Sequence, residues 1–209
     1  MKRNFIHFIA IFLGFTFWSA GMVKLFEGHL FIGWIGPPDL IEQLQEYNLE
    51  LFGKFIAVSQ VSIGYLMLTS RFKLLGSIML VPMILCILLF TISQKWIGTP
   101  YVLGVLLVMN FSILWQYRRV LIPILELGKP AKSEADALGE RRKSKLGNLV
   151  WLTGLVLQFA AIKSSEINLQ SSFLLSGIGI ILSILSFKLD HSTPKGTKDE
   201  NIPTLTFGR

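Results

Sequence analysis

Between positions 5 and 28 the chain holds a run of apolar residues interrupted by no ionisable side chain except His7, Lys24 and Glu27. A bilayer is crossed by about 20 such residues, so this stretch alone confines the chain to folds that bury a helix in lipid. At helical spacing His7, Ala10, Gly14, Gly21, Lys24 and Gly28 fall on one side. The rest of the circumference is Phe, Ile, Leu and Trp. The bulky side is therefore expected to face lipid and the small side neighbouring helices, with Lys24 held where the span leaves the hydrocarbon.

Six segments are of this kind: 5–23, 51–70, 74–92, 100–117, 146–162 and 169–187. They predict an all-α integral membrane protein, a four-span helical bundle followed by a two-span hairpin. Only 16% of the residues are charged, against about 25% in soluble domains. The net charge of +7 does not indicate nucleic acid, because the basic residues cluster between the apolar runs and not along one polar face. With the amino terminus inside, sixteen of the twenty lysines and arginines lie on the cytoplasmic side and only Lys24, Lys54, Lys95 and Lys163 lie outside. The positive-inside rule thus predicts a multi-pass protein of the cell (inner) membrane with both termini cytoplasmic. Trp34, Trp96 and Tyr101 are expected at the outer headgroups and Trp115, Tyr117 and Trp151 at the inner ones. Trp18 would occupy the −3 position of a signal-peptide cleavage site, where a small residue is needed, so the first span is expected to be retained.

The domains follow: residues 1–125 form the four-span bundle, 126–145 a basic cytoplasmic linker, 146–188 the hairpin, and 189–209 a loose polar tail. Between the first two spans Leu40, Leu44, Tyr47 and Leu51 recur at helical spacing, predicting an amphipathic outer helix over about 39–50. Glu42, Glu46 and Glu50 share another side of it and read as a solvated face more readily than as a cation site. Gln60 and Asn110 lie near mid-depth of spans two and four and are expected to point into the bundle, since amides in hydrocarbon need partners. Pro82 predicts a kink in span three, and Cys86 a packed thiol. In spans five and six, Gly147, Gly154, Gln158 and Ala161 share one side, as do Ser172, Ser176, Gly179, Ser183 and Ser186. Two such faces predict a hairpin that packs on itself or on the bundle. One cysteine and three scattered histidines, His7, His29 and His191, supply neither a disulfide framework nor a metal motif.

Leu13-Gly14 and Ala20-Gly21-Met22-Val23-Lys24-Leu25 in span one, the run from Gln60 to Met67 with Arg71 closing span two, and Thr99-Pro100-Tyr101-Val102 opening span four together resemble the DoxX family, over about residues 5–125. The resemblance implies a four-span bundle that assists or forms part of a redox membrane system, quinone-linked in some members, with a partner protein. It also implies a role for the span-one lysine, here Lys24. Gln60 stands where many members carry a glutamate, and a lone Cys86 cannot cycle between dithiol and disulfide. The hairpin lies outside the resemblance.

The candidate functional residues are Lys24, Glu27, Gln60 and Asn110. Glu27, one turn beyond Lys24, is expected to pair with it, and the bland alternative for Lys24 is snorkelling to the outer headgroups. No catalytic constellation is legible, so an enzyme would have to use Lys24, Glu27 or His29 at the outer surface. A small-solute transporter or channel is the alternative to the redox role, disfavoured by the lack of ionisable residues in the middle of any span.

Overall fold

The computed structural model describes residues 3–33, 35–118, 121–122 and 144–192. Among these, six helices are long and apolar enough to cross a membrane, and the protein is an all-α six-span membrane protein. The spans are α1 (Arg3–Leu25), α3 (Glu50–Leu68), α4 (Lys73–Ser93), α5 (Thr99–Gln116), α6 (Lys145–Ser165) and α7 (Leu169–Ser192), with the short α2 (Leu40–Gln45) between the first two. Local chemistry sets several boundaries. The Ser144 hydroxyl accepts from the Gly147 N–H at the start of α6 (2.8 Å), and the Asn168 side chain accepts from the Gln170 N–H at the start of α7 (2.9 Å). Pro100 sits in the first turn of α5, where its missing N–H costs nothing.

The bundle has two apolar centres. Ile9, Leu13 and Phe17 of α1 meet Ile56 and Ile63 of α3, Leu80 and Ile84 of α4, and Leu103 and Ile113 of α5. On the other side Trp18, Met22, Val61 and Tyr65 meet Trp151 and Ala161 of α6. Helix α1 is accordingly the most buried span. The expectation that its bulky side faces lipid is corrected: Phe8, Ile11 and Phe15 are exposed, but Leu13, Phe17, Trp18 and Met22 are buried. Its small stripe packs only from Ala10 to Lys24, since His7 and Gly28 at its ends are exposed. Glycines let α1 and α3 approach backbone to backbone. A Cβ on Gly64 would lie 2.6 Å from the Cα of Trp18, and one on Gly14 at the same distance from the Cα of Leu68. Lipid tails are as apolar as these side chains, so close packing of this kind, not water exclusion, holds the pair together.

The predicted serine and glycine faces of α6 and α7 are buried against each other. A Cβ on Gly179 would lie 2.7 Å from the Gly154 carbonyl oxygen. The hairpin packs on the bundle as well as on itself, through polar links spaced along the whole membrane depth. The backbone N–H of Glu27 donates to the Ser165 hydroxyl (3.1 Å). The Trp18 indole donates to Gln158 Oε1 (3.3 Å), which also accepts from the Ser176 hydroxyl (2.9 Å). The Tyr65 hydroxyl donates to the Gly179 carbonyl (3.0 Å) and contacts Ser183 Oγ. The Trp151 indole donates to Thr69 Oγ1 (2.9 Å). At the end where the amino terminus lies, the Arg71 guanidinium donates to Asn148 Oδ1 (2.8 Å) and to Ser186 Oγ (3.2 Å). Trp151 is thus buried in this seam, its N–H bonded to the hydroxyl of Thr69 just past the end of α3.

Helix α2 is shorter than the expected 39–50. Asn48 adopts a left-handed φ of 58°, the Leu49 N–H returns to the Leu44 carbonyl (2.9 Å) and the Asn48 N–H to that of Gln45 (3.0 Å). This C-terminal motif ends the helix. Tyr47 and Leu51 are consequently exposed, and Leu40, Ile41 and Leu44 form the buried side. The glutamates are not gathered: Glu42 meets His29 Nε2 (3.3 Å) and Glu50 pairs with Lys54. Cys86 is half-buried and not fully packed. The expected linker at 126–145 falls outside the described residues apart from Ser144 and Lys145, and Trp34 falls outside them altogether. The expected tail at 189–209 is helical as far as Ser192, and its remainder lies outside the described residues.

Candidate functional site

Lys24 lies in the last turn of α1, where a span terminus would let a lysine reach water. It stays inside. The side chain is 5% exposed and its Nζ donates to the Ala20 carbonyl one turn back (2.7 Å). The segment that follows explains this. Gly36, at a left-handed φ of 96°, lets the chain turn over the ammonium, and a Cβ there would lie 3.6 Å from Nζ. Ile35, Gly36, Pro37 and Leu40 then roof a cavity of about 50 Å³ whose walls come from α1, α3, α4 and α5.

Gln60 of α3 lines the same cavity, 5% exposed, and its Oε1 has no hydrogen-bond partner. Two of the wall hydroxyls are already engaged, while Thr99 and the Trp96 indole also line the cavity. Thr16 donates to the Phe12 carbonyl (2.9 Å) and Thr91 to that of Leu88 (2.9 Å). Most of what remains is apolar: Phe17, Ile56, Ile87, Phe90, Leu103 and Leu106.

Magnitudes show which group is the less well satisfied. Burying an ion costs several kcal/mol even after relaxation, whereas a hydrogen bond to a charged donor returns roughly 1.5–3 kcal/mol. Lys24 has one such bond and, among the described residues, no acidic partner. An unpaired amide oxygen costs only about 1–3 kcal/mol. The ammonium therefore dominates the chemistry of the cavity, and the amide is the secondary polar group.

The other two candidates stand apart. The expected Lys24–Glu27 pair does not form: α1 ends at Leu25 and Phe26 is extended (φ −76°, ψ 140°), so helical register is lost before Glu27, whose side chain is exposed. Asn110 is buried but lines no part of the cavity. Its Nδ2 donates to the Ser77 carbonyl (2.9 Å), one residue before the Ile78 carbonyl that Pro82 leaves without its helical donor. Both amides face inward, as expected, and they do not meet. Sequence reasoning missed Phe90, Thr91 and Trp96 as lining residues; Trp96 reads first as a headgroup anchor, and nothing in the sequence sets Phe90 or Thr91 apart from the rest of the span.

Comparison with known protein families, with curated proteins and with solved structures finds no match to this chain.

Gln60 yields a prediction. Gln60→Leu is expected to leave thermal stability in mild detergent unchanged or raised by up to about 1 kcal/mol, since it removes an unpaired buried acceptor. Asn110→Leu loses a made bond but also removes the unpaired Oδ1, so it is expected to be less favourable than Gln60→Leu by about 1 kcal/mol, the worth of that bond. A clear loss of stability in Gln60→Leu would show that this amide is structural.

Proposed function

We propose that the chain is a DoxX-like component of the cell (inner) membrane, with both termini cytoplasmic, that serves as an accessory or subunit of a redox membrane system. One observation carries this reading: the buried Lys24 ammonium faces a cavity enclosed by the four spans to which the resemblance belongs. A bundle with a preformed polar site and no nucleophile–base pair among the candidate residues suits a protein that binds and assists. Quinone does not fit this cavity. Benzene occupies engineered cavities of about 150 Å³, and the space here is about 50 Å³. The role therefore rests on a partner protein.

Purification in mild detergent, with mass spectrometry of co-purifying proteins and extraction of bound quinone, tests the proposal. A stoichiometric redox partner is expected. Isolation without one, together with solute flux in liposomes, would replace it by the second reading, carriage of a small solute. That reading is favoured by the groove that abuts the cavity. Within the same preparation Lys24→Ala is expected to reduce partner association at least fivefold at near-normal membrane abundance. Lys24→Arg should restore it only partly, because a guanidinium is wider and planar. Full association of Lys24→Ala would leave the lysine as packing alone.

Orientation is tested separately. With Cys86 replaced, a cysteine at Glu46 is expected to react with an impermeant maleimide from outside the cell and one at Ser144 only after the membrane is opened. The reverse pattern would invert the topology.

A further inference from the structure

At the α2 end a groove of about 240 Å³ is bounded by Gln43, Leu44, Glu46, Tyr47 and Gln94. It shares two residues with the buried cavity, Phe90 and Trp96, whose rings meet edge to face with centroids 5.9 Å apart. We infer that the cavity is a binding site for a carboxyl group, reached from this groove past the Phe90–Trp96 pair.

Four observations define the class of ligand. Lys24 is a buried cation with one hydrogen bond, to the Ala20 carbonyl, and with no acidic partner among the described residues, so an anion supplies what the protein does not. One cation, with no second charged donor on the wall, suits a monoanion better than a dianionic phosphate; Thr16 and Thr91 donate elsewhere, and the Thr99 hydroxyl and Trp96 indole are neutral donors. The volume of about 50 Å³ matches roughly three to five water-sized groups, at about 10–15 Å³ each, which is the size of a carboxyl group and a short apolar remainder. Gln60 makes no hydrogen bond to any described residue and its Oε1 is buried without a partner. Its amide is left to serve the ligand, with Nε2 donating to a carboxylate or Oε1 accepting from the protonated acid. Leu103, Leu106 and Ile56 receive the apolar end. A free short acid and the head of a lipid-borne fatty acid share this chemistry.

The inference rests on the reading of this cavity as the protein's ligand site. Its test uses the full chain in mild detergent, titrated with acetate, with octanoate, and with chloride at matched ionic strength, followed by tryptophan fluorescence and the unfolding midpoint. Saturable binding of acetate is expected if the source is a free acid; if it is lipid-borne, octanoate should bind with little acetate response, only its carboxyl and first carbons entering the cavity and the rest of its tail lying in the groove. Chloride should give neither. Affinity should fall at least tenfold in Lys24→Met and severalfold in Gln60→Leu. Leu103→Trp, which fills the cavity while leaving Lys24 and Gln60 unsubstituted, should abolish binding while the protein stays folded. No response to either acid, an equal response to chloride, or affinities unchanged in Lys24→Met would overturn the inference. A redox partner that co-purifies with a protein blind to both acids would remove the carboxyl site and leave the accessory role. Carboxyl binding without any partner would do the reverse.

Discussion

Gly64→Leu is expected to reduce membrane abundance to below about a third of wild type and to destabilise the detergent-solubilised protein by about 3 kcal/mol. Overpacking is usually softened by a rotamer change in a neighbouring side chain. Here the obstacle is backbone, since even a Cβ would lie 2.6 Å from the Cα of Trp18, so relief requires α1 and α3 to separate. Separation would also disturb the Trp18 indole bond to Gln158 and with it the contact to the hairpin. Gly104→Leu is the control, because a Cβ there meets nothing within 4 Å. Equal behaviour of the two variants would show that the close approach of α1 and α3 contributes little.

Arg71→Met is the second large effect. Neutral interhelical hydrogen bonds in membranes average only about 0.6 kcal/mol, but bonds from a charged donor return roughly 1.5–3 kcal/mol. The buried Arg71 guanidinium holds Asn148 of α6 and Ser186 of α7 together. A loss of about 2–3 kcal/mol is expected, seen as a lower unfolding midpoint in mild detergent. Arg118→Met should change it little, since that guanidinium is exposed over the Trp115 ring. In a double-mutant cycle Arg71→Met and Ser186→Ala should couple by at least about 0.5 kcal/mol. Strict additivity would mean that the hairpin is held by packing and the neutral links alone.

Span number and the inward faces of the hairpin were legible in one dimension. A run of apolar residues long enough to cross a bilayer has to be a helix, because no water is present to satisfy its backbone. Serines and glycines at helical spacing mark the side that must meet protein. Gln60 and Asn110 were placed inward by the same logic. Arg71 was legible only as one more positive charge, and Trp151 only as a headgroup anchor, since each acquires its role from a residue more than seventy positions away.

The sequence by itself determined an all-α protein of six spans, the small-residue faces and the presence of a lysine near the end of α1. Tertiary structure decided that α1 is central, that the hairpin is joined to the bundle along its full depth, and that Lys24 turns inward beside Gln60 while Glu27 and Asn110 stay apart. The reason is that lipid and protein interior are equally apolar. A phenylalanine or leucine carries no mark of which of the two it will meet, so packing order is settled only by backbone approach at glycines and by where the few polar groups find partners.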